Sequence, residues 1–534
     1  MTAPRSPGVL AGRVGPIAAL ALALLGAAPA SSSAETLAEA IVDAYRNNPE
    51  LQAQRAELRA LDESVIEAGA PYRMGAQLSG NINANDRRQR SASFDGFTVF
   101  EQRNIGVALT VTQILSNGGR TAAQLSAAEA DVLGGRERLR EAENTTLFEV
   151  IDAYVSVRRD QQLIAIQQDV VANYERQVSQ NRSREREGDL SRTDVTQAEA
   201  QLLIIRAALA QAQANLERSR SRFAAVVGRN PGVLQDEPAL PLVPISSDAA
   251  QAAGERESPI VWQAVLAERG SRHRIAAARA ERNPVVSASG SAGFVNPAGF
   301  RLRDMGSNVG GGVTFTLPLL TQGVVGSRVR AAIAQQQSAQ FRVETARRTV
   351  AAGILNAWNQ AVTAQAQLRV GDAAVQAAEA AVGGVRRGFA EGFRSNFEVI
   401  DSEQRLLNAR TLVVNARYSL YAAQATLLAF IGRLQADGLV HGVTDYPVAT
   451  NLKRRRAEQV GPFEPLFAAY DSLSRPSGRS RPAPAIAPVP RAEPVAATAP
   501  APDGPLATAL PHLTGPGAVT TLDAPTSSNR RKKR

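Results

Sequence analysis

The stretch FAEGFRSNFEVIDSEQ, residues 389–404, decides the reading of this chain because it occurs twice. Its counterpart is EREGDLSRTDVTQAEAQ, residues 185–201. The copies align at an offset of 204 (392 minus 188), which pairs Gly188 with Gly392, Val195 with Val399 and Glu199 with Glu403. Each copy predicts a turn between a helix arriving and a helix leaving, with Gly188 and Gly392 reversing the chain, since glycine tolerates the left-handed backbone that ends a helix. Ser191 or Thr193 in one copy, and Ser395 or Asn396 in the other, are candidate caps for the outgoing helix. Asp194, Glu398 and Asp401 fall in or near its first turn, where the helix dipole favours negative charge. The chain therefore reads as two helical hairpins built on one plan.

The same offset pairs Val150-Ile151-Asp152-Ala153-Tyr154 with Ile354-Leu355-Asn356-Ala357-Trp358, and Val227-Gly228-Arg229 with Ile431-Gly432-Arg433. Upstream it becomes 210 (259 minus 49), pairing Pro49 with Pro259 and Gly80 with Gly290. A length difference must lie between Gly80 and Asn104. A unit of about 200 residues is far longer than a solenoid repeat, so a duplicated half-molecule explains it better. The domains read as a signal peptide over 1–34, a first repeat over 35–229, a linker over 230–257 carrying Pro231, Pro238, Pro241 and Pro244, a second repeat over 258–433, a small structured belt over 434–473, and a disordered Pro/Ala-rich basic tail over 474–534.

Inside each repeat the period changes from helical to alternating. Strands are predicted at about 76–84 and 105–112, and again at 286–294 and 309–317. Leu78 and Ile82 alternate with Gln77, Ser79, Asn81 and Asn83; Val309, Val313 and Phe315 alternate with Gly310, Gly312 and Thr314. Strands of this length cross a bilayer when tilted, with one apolar and one polar face. A soluble antiparallel sheet with one wet face has the same alternation. If the strands span, four cannot close a barrel, and an open edge in lipid costs several kcal/mol per unpaired backbone group. The protein must then oligomerise, two chains giving eight strands and three giving twelve. The connections 85–104 and 295–307 read as polar loops on the outer face, with Phe94, Phe97 and Phe100 at the lipid boundary. Long helices are predicted over about 120–186 and 326–387, with shorter returns over 194–227 and 395–431 and further helical pattern at 35–69 and 259–282. A coiled-coil rod has the same periodicity.

Arg5 and Arg13, an apolar run at 17–28 and the Ala-Pro-Ala that follows have the form of a secretory signal, the run being short for a membrane anchor. The sequence holds no cysteine and three widely spaced histidines, which argues against disulfides, a thiol nucleophile or a metal centre. The net charge of +10 sits mostly at the ends, nine basic against four acidic groups over 471–534 and KRRR at 453–456, so a nucleic-acid partner is not expected of an exported chain. No phosphate loop, GxSxG or HExxH motif is present, and neither enzymatic activity nor a cofactor is expected. The tip carboxylates remain. Glu398 and Asp401, three apart on one helix face, would form rings of negative charge in a symmetric oligomer, a device for cation selectivity in pores. Arg394 is placed to pair with Asp194 of the sister hairpin.

Over residues 35–446 the chain resembles the TolC family of outer-membrane efflux proteins. The likeness rests on the duplicated strand–helix plan together with TDVTQAEAQL (193–202), FEVIDSEQRLLNAR (397–410), NARYSLYAAQATLLAFIG (415–432) and QILSNGGR (113–120). It implies an α+β membrane protein, a homotrimer whose twelve-stranded β-barrel in outer-membrane lipid continues into a long periplasmic α-helical barrel. It implies a passive exit duct of a tripartite efflux pump or type I secretion system, joined through a periplasmic adaptor (membrane fusion protein) to an inner-membrane pump or ABC transporter. By motif position Glu398 and Asp401 resemble the acidic constriction of a periplasmic gate, and Asp194, Arg394 and Phe389 its latch. Phe389 stands where a tyrosine is usual, so a hydroxyl latch bond is absent, and Glu398 replaces the more usual aspartate. The tail has no counterpart. The competing expectation is a periplasmic adaptor or coiled-coil tether, against which stand the two hairpins and the lack of a lipobox cysteine.

Overall fold

The computed structural model describes residues 35–90, 96–440, 446–459 and 464–479. The export signal expected over 1–34 and the tail from 480 onward lie outside the described residues.

The first helical stretch is two helices, α1 (Leu37–Asn47) and α2 (Pro49–Gly69). Asn48 divides them: it is extended, its side chain accepts from the backbone of Glu50 and Leu51, and Pro49 occupies the first helical position. Strands β1 (Gly75–Arg90) and β2 (Phe97–Ser116) follow. Helix α3 (Arg120–Glu187) runs for 68 residues, about 100 Å at 1.5 Å per residue. Its return, α4 (Arg192–Val227), has 36. The second half repeats the order with α5 (Ser247–Glu257), α6 (Pro259–Ala280), β3 (Val285–Asn296), β4 (Gly306–Thr316), α7 (Val324–Ala390) and α8 (Asn396–Ile431). Three short helices close the described chain: α9 (Ala436–Leu439), α10 (Thr450–Gln459) and α11 (Glu464–Leu473).

Three expectations need correction. The segment 85–104 is mostly not a loop: β1 continues to Arg90 and β2 begins at Phe97, with Arg87 opposite Phe100 and Arg88 opposite Val99. A backbone ladder does not require apolar side chains, so pairing outlasts the hydrophobic alternation. Phe97 and Phe100 lie exposed on this extension, and Phe94 is outside the described residues. The 230–257 linker contains α5, which matches α1 at the offset of 210 (247 minus 37). Residues 474–479, expected as the start of the tail, are held: Arg475 contacts His273 and Ser126, and Arg279 donates to the carbonyls of Ser477 and Arg479.

The four strands form one antiparallel sheet in the order β1-β2-β3-β4. Their register sorts side chains by chemistry. Leu78, Leu109, Ala292 and Val309 stand in one row on one face, with Ile82, Ile105, Val107, Phe294, Val313 and Phe315 beside them. Ser79, Asn81, Thr110, Thr112, Ser289, Ser291 and Thr314 share the other. Asn81 and Asn83 both donate to Asn104 there. The apolar face is not covered by any described element: Leu78 is 72% and Val309 81% exposed. Exposed apolar area of this extent marks a surface made for lipid or a partner. Strands β1 and β4 are both edges.

The main core lies where α1, α2, α3, α4 and α8 meet, around Ile41, Leu51, Tyr154, Phe223 and Leu428. Burial pushes the Tyr154 hydroxyl up to about 12, and it lies 2.9 Å and 2.8 Å from the carbonyls of Glu35 and Gln235. It thus fastens the start of the linker to the start of the described chain, which also pair at Glu35 and Leu234.

At the junction of β2 with α3 the C-terminal segment folds back. The Asp471 side chain is fully buried and accepts from Tyr72 Oη (3.0 Å), Ser116 Oγ (3.3 Å) and the backbone N–H groups of Asn117 (3.2 Å) and Gly119 (2.8 Å). Gly119 precedes α3 in a left-handed conformation and offers no side-chain cap. Asp471, distant in sequence, supplies the carboxylate that a helix start favours. Burial, with this carboxylate next, raises the pKa of Tyr72. Glu464 at the other end of α11 pairs with Arg73 at 3.2 Å.

Candidate functional site at the hairpin tips

Both hairpin turns are built alike. Gly188 has φ +85° and Gly392 φ +82°, and nothing lies within 4 Å of where a Cβ would stand at either. The demand for glycine is therefore conformational rather than steric. Asp189 N donates to Arg184 O at 2.9 Å and Phe393 N to Gly388 O at 2.8 Å, closing the last turns of α3 and α7. Of the candidate caps, Ser191 and Ser395 serve, each in a capping box with Asp194 and Glu398 respectively. These two carboxylates thus have a local structural task besides any role in a gate.

The structure does not bring Asp194 and Arg394 together within the chain. The Asp194 carboxylate accepts from Ser191 Oγ at 2.7 Å, and the Arg394 guanidinium lies 3.5 Å from Glu398 of its own hairpin. Asp401 pairs with Arg405 at 2.9 Å one turn on. Arg405 shares a helix face with Asp401 by its i,i+4 spacing, and Arg394 reaches Glu398 from the turn just before α8; each competes with any more distant partner. Glu398 and Asp401 remain about two-fifths exposed.

What joins the hairpins is a set of residues that charge reading passed over. Asn396, 2% exposed, accepts from Gln177 Nε2 at 2.8 Å and Asn181 Nδ2 at 2.9 Å, and donates to the Asp194 carbonyl at 3.1 Å. Arg184 stands 5.1 Å over the Phe389 ring and donates to the Phe389 carbonyl at 3.3 Å. Phe389, without a hydroxyl, thus links the hairpins through its ring face and its backbone. The Tyr174 hydroxyl donates to Ile400 O at 3.3 Å; burial, with the Glu403 carboxylate next, raises its pKa. Higher up, ion pairs repeat at the offset of 204: Arg182–Glu199 with Arg386–Glu403, and Arg206–Glu175 with Arg410–Glu379, all at 2.7 Å. That recurrence was available in the sequence; the inward direction of Asn396 was not.

Asn396→Ala removes the acceptor shared by two buried donors, Gln177 and Asn181, at about 1–3 kcal/mol per orphaned donor, and also loses the bond to the Asp194 carbonyl. It is expected to loosen the tips, seen as faster protease cleavage near residues 186–194 and 388–396 than in the unmodified protein. Unchanged cleavage would mean that other contacts hold the hairpins.

Among the described residues no cluster of His, Cys, Asp or Glu is arranged to hold a metal ion, and no helix is long and apolar enough to cross a membrane. Two long duplicated hairpins, an uncovered apolar sheet face and polar tip turns are the features to compare with known proteins. The model of the outer membrane efflux protein family matches residues 40–229 and 255–433. The chain belongs to the outer membrane efflux protein family. The two matched segments fall on the two repeats and leave out residues 230–254, and the adaptor alternative is set aside with this assignment. Outer membrane efflux protein BepC of Brucella suis biovar 1 (strain 1330) is 29% identical over 414 residues, covering 77% of this chain and 88% of that protein. Outer membrane protein TolC of Escherichia coli (strain K12) is 24% identical, over 81% of this chain and 89% of that one. The solved structure of the Campylobacter jejuni CmeC outer membrane channel covers 80% of this chain and 90% of its own, at TM-score 0.68 and 15% identity, a likeness of fold. Members of this outer-membrane efflux family are channel proteins, and this chain is placed in the outer membrane.

Proposed function

We propose that the chain is the outer-membrane duct of an efflux pump or type I secretion system, a passive trimeric channel closed by a gate at its periplasmic hairpin tips. The observation that carries this reading is the sheet: over its central rows one face is dominated by Leu, Ile, Val and Phe and the other by Ser, Thr, Asn and Gly, and its two edges are unpaired within the chain, which runs on into helices of 68 and 67 residues. Lipid requires the edges to be closed. Four strands per chain give eight in a dimer or twelve in a trimer. The interior of an eight-stranded barrel is filled by its own side chains, so a trimer is the smaller closure that leaves an aqueous lumen lined by the Ser, Thr and Asn face. In this arrangement the apolar face meets lipid and the helices form the periplasmic conduit.

The tips fit the gate. Glu398 and Asp401 supply the constriction, and Asp194, Arg394 and Phe389 sit at the latch, with Asp194 and Arg394 free to re-pair across a protomer boundary. The second tip exposes Phe393 and Phe397 where the first has Asp189 and Thr193, an apolar contact for the adaptor that links the duct to an inner-membrane pump or ABC transporter. BepC and TolC are named as outer membrane efflux and outer membrane proteins, and PrtF of Dickeya chrysanthemi as a proteases secretion protein, which supports either export setting. No catalytic chemistry and no cofactor belong to this role. Purified protein added to a planar lipid bilayer is expected to produce discrete, long-lived conductance steps without any energy source. Absence of steps from protein that has inserted would contradict a duct.

A further inference from the structure

The sheet closes at one end in a level row: Gly75 begins β1 opposite Thr112, Val286 stands opposite Ser116, and Thr316 ends β4 opposite Val285. Two apolar surfaces lie bare just beyond this row, on opposite flanks. On the β4 flank, residues 317–323 join β4 to α7, with Leu319 83% and Leu320 95% exposed. The turn includes Gln322 at φ +50°, a left-handed conformation unfavourable for a residue with a side chain. On the β1 side, α11 is held to the residues that lead into β1 by Arg73–Glu464 and Tyr72–Asp471, and to the end of β2 by Asp471–Ser116. Its Leu466, Tyr470 and Leu473 are exposed, at spacing i, i+4, i+7 on one helix face. Met74, just before β1, is exposed as well.

The duplicated halves differ at this point. The first junction, at Ser116–Gly119, is covered by α11 of the same chain, and Arg475 lies against Gly119. The second junction, offset by 204, has none of the described residues over Leu319 and Leu320. We infer that α11 of one protomer packs its Leu466–Tyr470–Leu473 face on Leu319 and Leu320 of the next, clasping the seam at the base of the barrel. The inference rests on the ring closure proposed above. In a ring each β1 edge meets a neighbour's β4 edge, antiparallel, so the foot of β1 and the foot of β4 come together at every seam. Each seam then brings one bare helix face to one bare leucine pair, and closure of the ring buries every copy of both. The occupant is a second copy of this chain, because both patches flank the edges that must pair.

The chain contains no cysteine, so introduced pairs report without background. Leu320→Cys is combined with Leu466→Cys, Tyr470→Cys or Leu473→Cys, and detergent-extracted protein is treated with a mild oxidant. At least one pair is expected to convert most of the protein to covalent dimers and trimers on a denaturing gel, while each single variant stays monomeric there. Leu319→Ser with Leu320→Ser is expected to lower the temperature at which the oligomer dissociates. Protein of trimer mass in which no pair cross-links and the serine variant dissociates unchanged overturns the clasp and leaves the duct reading standing. Labelling of Leu320→Cys and Tyr470→Cys by a lipid-soluble thiol reagent in intact trimers also overturns it, in favour of contact with lipid. A monomeric mass removes both.

Discussion

Replacing Glu398 and Asp401 together by alanine weakens block by multivalent cations in planar bilayers by about tenfold or more, equivalent to about 1.4 kcal/mol. The two carboxylates share a face near the start of α8, and a symmetric trimer presents three copies of each at one level. The structure adds a sign to this expectation. Each carboxylate carries an arginine of its own, Arg394 at 3.5 Å from Glu398 and Arg405 at 2.9 Å from Asp401. A ring built from these carboxylates would therefore be partly neutralised, and the double variant leaves the arginines behind. Its selectivity should move toward anions and not merely lose preference for cations. Arg405→Ala should act in the opposite direction and tighten the block. The pairs are solvent-exposed, so the effect should shrink as salt rises, with a screening length near 8 Å at physiological ionic strength. Unchanged block in the double variant would place the constriction elsewhere.

Asp471→Ala should be the most destabilising single substitution at the strand–helix junction. It strips a common acceptor from Tyr72, Ser116 and the backbone of Asn117 and Gly119, in a place water does not reach. Orphaned buried donors cost about 1–3 kcal/mol each, so a total of several kcal/mol is expected even with partial relaxation. It also removes the only carboxylate seen at the start of α3 among the described residues. The readouts are a lower temperature of oligomer dissociation and faster proteolysis between β2 and α3. Asp471→Asn keeps the shape and one acceptor oxygen and should fall between the two. If Asp471→Ala dissociates and digests like the unmodified protein, the C-terminal segment lies on the junction without bracing it.

The helical plan was legible because it was written twice. Helices α4 and α8 begin at 192 and 396 and end at 227 and 431, each pair 204 apart, and the two turn glycines were readable from backbone requirements alone. Helix α5 stands 210 residues after α1 and obeys the same repeat, while the four prolines between 231 and 244 mark a linker that ends before it. Strand length was under-read for a physical reason. Hydrophobic alternation reports which face is buried or in lipid, and it stops near Asn83, whereas the β1–β2 ladder continues to the pair Arg90–Phe97 with polar side chains on both faces.

The tips show what charge reading can and cannot reach. Asp194, Glu398 and Asp401 stand out in sequence, yet the contacts across the hairpins run through Asn396, Gln177, Asn181, Arg184 and the Phe389 ring. A buried asparagine is indistinguishable in sequence from a capping one, and Asn396 had been considered only as a cap. Its partners come from a helix more than 200 residues away, a distance no local pattern spans. Asp471 is a similar case: nothing around it in sequence points to a helix start some 350 residues earlier.

The measurement that tests the central claim most directly is the mass of the mature protein extracted in detergent, corrected for bound detergent. A mass of three chains is the predicted result, since that is the closure of this four-stranded sheet that leaves a lumen. A single-chain mass from protein released without detergent would contradict it: the alternating strands would then be an ordinary sheet with one wet face, and the duct would not exist.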